Sequence, residues 1–195
     1  MRAYLAKVDF QCFAQSREFA EFSKHFRDLT GITIALFDPT SQQFKTLFTA
    51  QEISPLCGII QSNTQGKARC WTCNREHFAT AAQTRLPCRY LCHAGLMDIA
   101  IPICIDGQHL ATISCGQLLP TPHSSRGFRN ILRRLRGLPL AKKTLQQAYA
   151  RAPYLEPARI DAAIKFLTFF AEYLGRMGLT LRAMADRLQG KTPTP

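Results

Sequence analysis

Acidic residues are scarce in this chain, and the shortage is concentrated in one region. Thirteen Asp and Glu stand against 25 Lys and Arg in 195 residues, for a formal net charge of +12, and no acidic residue occurs between Asp106 and Glu156. Asp98 is the only acid between Glu76 and Asp106, so paired-carboxylate acid–base catalysis has no place in the middle of the chain. Long hydrophobic runs are missing too. No window approaches the roughly 18 apolar residues that a membrane span needs, and Met1-Arg2-Ala3-Tyr4 does not open onto the apolar stretch of a secretion signal. A soluble, cytoplasmic protein with no membrane partner is expected. There is no Gly-rich phosphate loop, no Gly-x-Ser-x-Gly elbow, no His-Glu-x-x-His, no internal repeat and no low-complexity tract. An enzyme is not expected, and no catalytic residue is assigned.

The residues present suit one domain with an appendage, since 46% hydrophobic residues can build a sizeable core at this length. Ser16 to Leu29 places Phe19, Phe22, Phe26 and Leu29 at helical spacing, with Ser16 as N-cap and Gly31 as stop. Ile32–Asp38 and Phe44–Thr49 read as a hairpin around Pro39. Short and long helices follow over Pro55–Ser62 and Ala68–Thr84. Cys88–Cys92 is strand-like, and Leu96–Ile105, Asp106-Gly107 and Gln108–Gln117 form the strongest hairpin signal. The order predicts an α+β fold, an antiparallel sheet with flanking helices.

The acid-poor stretch contains Arg126, Arg129, Arg133, Arg134, Arg136, Lys142, Lys143 and Arg151. Arg126, Arg129, Arg133 and Arg136 share one helical face, while Phe128, Ile131, Leu132 and Leu135 share the other. A basic docking surface or a plain solvated face fits this pattern better than a sequence-specific reader of nucleic acid. Further on, Ile160, Ile164, Leu167, Ala171, Leu174, Gly178, Leu181, Ala185 and Leu188 alternate steps of four and three. That is a heptad seam about four repeats long, and it predicts a homodimer. Gly175 and Gly178 each weaken the helix, so a bend or a close helix approach is expected near Met177.

Most of the eight cysteines lie between Cys57 and Gln117, and nothing directs export, so they read as thiols or metal ligands and not as bridges. Cys70 and Cys73 have Cys-x2-Cys spacing, which presents two thiolates from one turn of chain. Cys88 and Cys92 on one strand would lie about 13 Å apart, so the economical metal set is Cys57, Cys70, Cys73 and Cys92, with Cys88 or His93 as substitutes. Zinc is the first candidate ion and iron the second. Burial as small hydrophobes and a redox switch are the other readings of the same thiols.

The run Cys92-His93-Ala94-Gly95-Leu96, followed by Pro102-Ile103 and Gly116-Gln117, resembles the PocR-type sensory domain of bacterial signalling and transcription regulators. The resemblance covers roughly Phe10 to Leu119 and a C-terminal helix, and Cys57, Cys70 and Cys92 match its recurrent cysteines. It implies a PAS-like or GAF-like sheet with a long signalling helix, and a module that binds a simple organic molecule such as a diol or hydrocarbon derivative. It also implies an output domain, DNA-binding or kinase, in the same or a partner chain. His93, Gly95, Asp98 and Gln117 are the candidate ligand residues. Residues 1–155 then form the sensory domain, 156–190 the dimerisation and signalling helix, and 191–195 a disordered tail. The rival expectation is a metal or redox sensor in which the cysteines are the input and no organic ligand exists.

Overall fold

Ser16 starts the first helix by accepting the Phe19 N–H on its hydroxyl at 3.1 Å. Gly31 ends it at φ 75°, a conformation that carries no Cβ penalty in glycine. This helix, α1 (Arg17–Thr30), buries Phe19 and Phe26. The computed structural model describes residues 15–44, 53–105 and 107–188, with side chains described through residue 177. Strand β1 (Thr33–Asp38) pairs antiparallel with β2 (Gln43–Phe44). The rest of the expected Phe44–Thr49 strand lies outside the described residues, as does Asp106 in the second hairpin and the tail beyond Leu188.

Two helices then share a single cap. Helix α2 (Pro55–Ser62) closes at Asn63, whose Oδ1 accepts the Gly66 N–H at 2.9 Å and so opens α3 (Thr64–Thr84). The second helix thus begins at Thr64 and not at Ala68, because Asn63 supplies an acceptor to the orphan N–H groups of a first turn. Strands β3 (Cys88–Leu91), β4 (Met97–Ile105) and β5 (Gln108–Leu118) complete a five-stranded antiparallel sheet in the order β2-β1-β5-β4-β3. With helices on both faces it is the expected α+β, PAS/GAF-like arrangement. Helices α4 (Ser125–Arg134), α5 (Lys142–Tyr149) and α6 (Pro157–Leu188) follow.

Strand alternation sends successive side chains to two separate cores. Ile99, Ile101, Ile103 and Ile113 meet α1 and α6 on one face. Ala100, Tyr90 and Phe37 meet α2, α3, α4 and α5 on the other. Helix α4 is amphipathic as expected, with Ile131 buried and Arg126, Arg129 and Arg133 exposed, and it ends at Arg134, just before the buried Leu135 and the exposed Arg136.

The apolar stripe of α6 has a different partner from the one its spacing suggests. Ile160, Leu167 and Ala171 are buried in the domain's own core, and Ile164 and Leu174 pack partly buried against it. The first five seam positions therefore cover the sheet, chiefly β4, and are not free to zip with a second chain. A 3.5-residue and a 3.6-residue period drift apart by only about 20° per heptad, too little over the two heptads from Ile160 to Leu174 to separate a seam between chains from a stripe on the domain's own core. The close approach expected near Met177 occurs at Gly175, where a Cβ would meet the Cys104 carbonyl oxygen at 2.6 Å. Among the described residues no helix is long and apolar enough to cross a membrane.

Candidate functional site

The central feature is an irregularity between β4 and β5. Met97 pairs with Leu118 and Asp98 pairs with Gly116, so Gln117 is an extra residue, the one unpaired position of a β-bulge. It sits at φ 60°, a conformation that non-glycine residues adopt rarely and hold only when the surroundings enforce it. Two hydrogen bonds do so. The Gln117 N–H donates to Asp98 Oδ1 at 2.7 Å, and Gln117 Oε1 accepts the Ser54 N–H at 2.7 Å. Ser54 precedes α2, so the bulge ties Asp98 to the helix that carries Cys57.

These groups line a cavity of about 130 Å³ between the sheet, α2 and α3. Asp98, Gln117, Gln61, Asn74, Thr33 and Ser114 supply its polar side chains, and of the four cysteines on its wall Cys57, Cys70 and Cys92 belong to the core on this face of the sheet while Cys115 belongs to the other. Burial pushes the Asp98 carboxyl up to about 6, against the pull of the Gln117 N–H and the Cys92 thiol that hydrogen-bond to it. Burial also raises the thiols, Cys70 and Cys92 each to about 12 and Cys57 well above its usual range, with the Asp98 charge adding to each. All three are therefore protonated at neutral pH.

The expected metal ligands do not assemble as a set. Cys57, Cys70 and Cys92 share the cavity, but Cys73 is not among its lining residues and lies 3.8 Å from His77 Nδ1. Cys88, one of the expected substitutes, is on β3 away from it. Among the described residues no three His, Cys, Asp or Glu side chains converge as a metal site. Cys92 is also not a strand residue: β3 ends at Leu91, and Cys92 opens a tight turn closed by the Gly95 N–H on the Cys92 carbonyl at 2.8 Å. His93, in that turn, places Nε2 3.1 Å from Cys70 Sγ and leaves Nδ1 buried without a partner. Burial, then Arg69, lowers its pKa, so it is neutral at pH 7.

Of the four expected ligand residues, Asp98 and Gln117 face the cavity, and Gly95 belongs to a second cavity on the other side of the 92–95 turn. His93 lines neither. Asn74, Thr33 and Ser114 were missed because they come from three elements with no motif in common. Register alone relates two of them, since Thr33 pairs with Gly116 and Ser114 with Ala35 and Ala100.

The raised Asp98 carboxyl has a consequence for stability. The folded state holds this proton more tightly than an unfolded carboxyl near 4, so its contribution is complete below about pH 4 and is lost as pH rises through about 6. Asp98→Asn keeps an oxygen for the Gln117 N–H and removes the charge. It is expected to flatten urea-measured stability over that window and to raise it at pH 7 by on the order of 2 kcal/mol. An unchanged pH profile would show that Asp98 does not titrate there.

Comparisons with known proteins bear on the chain as a whole. Residues 13–179 match the family model described as "PocR: Sensory domain found in PocR". The chain is also similar to "Regulatory protein PocR" of Salmonella typhimurium, 29% identical over 98 residues, which are 50% of this chain and 31% of that protein. The match thus spans about a third of the relative's length. No solved structure matches the chain.

Proposed function

Because the chain belongs to the PocR sensory-domain family, we propose that it senses a small, hydroxyl-bearing organic molecule, a short diol being the fitting class, in the Asp98 cavity. The cavity carries the reading. It offers one ionisable acid held on a bulge, amide and hydroxyl groups nearby, and an apolar remainder that includes Ile53 and Ile60. Such a lining fixes a ligand through a few placed polar groups, with the Asp98 carboxylate accepting from hydroxyls. At about 130 Å³ it is well below the roughly 300 Å³ at which drug-sized sites begin, so the ligand is a small one. Signal transfer follows the strand. Asp98 lies on the cavity face of β4, while Ile99, Ile101 and Ile103 on its other face pack against α6, so a change in the bulge shifts the helix between two arrangements that an output module reads. Titration calorimetry with short vicinal diols is expected to give saturable heat with the wild type and at least tenfold weaker binding with Asp98→Asn. Absence of heat with every small hydroxylated compound tried would overturn the reading.

The cavity thiols of Cys57, Cys70 and Cys92 support a second reading, a thiol or metal input. Its difficulty is that burial holds those thiols protonated, whereas ions and oxidants take the thiolate. About one zinc or iron per chain on elemental analysis, with no diol response, would favour it.

Self-association, we propose, uses the exposed edge of α6 and not the Ile160–Leu174 part of its heptad stripe, which the domain core already covers. Phe166, Phe169, Tyr173 and Met177 are exposed large apolar side chains at helical spacing. The double substitution Phe169→Glu and Tyr173→Glu is expected to leave the domain folded and to turn a dimer into a monomer by light scattering. A monomeric wild type would remove this edge from consideration.

A further inference from the structure

The second cavity, of about 170 Å³, opens between α4, the 92–95 turn and the segment after β5. Its walls are apolar at Leu91, Leu119 and Ile131, and its charged groups are two guanidinium ions, Arg133 and Arg134. Tyr149 also lines it, but the Tyr149 hydroxyl is committed to the Ser124 N–H and carbonyl, at 3.1 and 3.2 Å.

The position of Arg134 is built into the fold. Its side chain lies across Gly95, where a Cβ would come within 2.9 Å of Arg134 Cδ, and Gly95 is itself at φ 86°. A side chain at position 95 would therefore be strained and would displace the arginine from the cleft. Arg133 is steadied by donating from Nη2 to Asn130 Oδ1 at 3.3 Å. Neither arginine has a carboxylate partner among the described residues, and the sequence from 107 to 155 contains no acid to provide one. Two guanidinium groups lining one cleft with no carboxylate among its lining residues match an oxyanion by charge and by their forked donor geometry.

We propose that this cleft binds a small phosphate-type oxyanion, either inorganic phosphate or the head of a small organic phosphate whose body lies against Leu91 and Leu119. The site is separate from the Asp98 cavity, whose lone carboxylate repels such a ligand, and it does not depend on what that cavity binds.

Thermal melts and calorimetry of the full 195-residue chain, at constant ionic strength balanced with chloride, test it. Inorganic phosphate and phenyl phosphate are the probes. Saturating phosphate at ten times its Kd is expected to raise Tm by roughly 3 °C. Tighter binding of phenyl phosphate would identify an organic phosphate, and equal binding would identify the free ion. Arg134→Gln is expected to weaken binding at least tenfold and Arg134→Lys less, whereas Arg126→Gln with Arg129→Gln, on the exposed outer face, stays within twofold. Arg133→Gln takes the place of Arg134→Gln if circular dichroism shows that variant unfolded. The proposal is overturned by no phosphate response, by binding that survives the cleft substitutions, or by equal loss in the outer-face variant, the mark of a diffuse field. Duplex DNA bound through Arg126 and Arg129 in the absence of phosphate binding would also overturn it.

Discussion

Replacing Leu167 by aspartate is expected to unfold the domain and not merely to divide a dimer. The residue is 0% exposed and sits in the core that α6 forms with the sheet, beside Ile160, Ala163 and Ala171. The substitution removes a buried side chain, which alone costs about 2–5 kcal/mol for a leucine truncated to alanine, and places a carboxylate among the apolar side chains of that core. A combined loss of about 5 kcal/mol or more is comparable to the whole stability of a domain this size. Urea unfolding followed by circular dichroism reads it directly. A Leu167→Asp protein that kept its native transition and merely lost mass in light scattering would return the stripe to its role as a seam between chains.

Gly116→Ala is expected to be the most damaging single-methyl change at the site. Gly116 adopts φ 137°, and an added Cβ would stand 2.6 Å from the Met97 carbonyl oxygen, 2.7 Å from Asp98 Cα and 2.8 Å from Asp98 Oδ1. Two of those three atoms are backbone and cannot rotate away, so the strands must part. Backbone strain of about 1–3 kcal/mol adds to overpacking of about 1–3 kcal/mol, and the bulge that aims Gln117 and Asp98 is lost with the register. The expected readings are a fall in urea stability of about 3–5 kcal/mol and loss of diol binding in the variant. Wild-type stability would show that the bulge tolerates a side chain and that Gly116 serves some other purpose.

The two substitutions illustrate why parts of this protein are legible from its residues and parts are not. Ser16, Gly31 and the Gly107 turn act on neighbours within four residues, so the start and stop of α1 and the β4–β5 hairpin follow from local chemistry. The amphipathic pattern from Arg126 to Arg136 is similarly local, and α4 appears where that pattern places it. Asn63 is also a local signal, overlooked because one residue closes α2 and opens α3. The α6 stripe was legible as a demand for burial, yet an apolar stripe carries no address, and the sheet lay closer than a second chain.

By itself, then, the sequence determined the α+β order of elements, the family motif around Cys92–Gln117 and the acid-poor, basic character of α4. These depend on side-chain type, short-range spacing and charge, which folding does not alter. Tertiary structure alone decided that Asp98 and Gln117 share a cavity with Cys57, Cys70 and Cys92 while Cys73 and Cys88 stay outside it, and that Gly95 belongs to the arginine cleft. For Asp98 and Gln117 the reason is one inserted residue. The bulge at Gln117 offsets the register of β5 against β4, and a one-residue offset in a two-residue period decides which side chains meet.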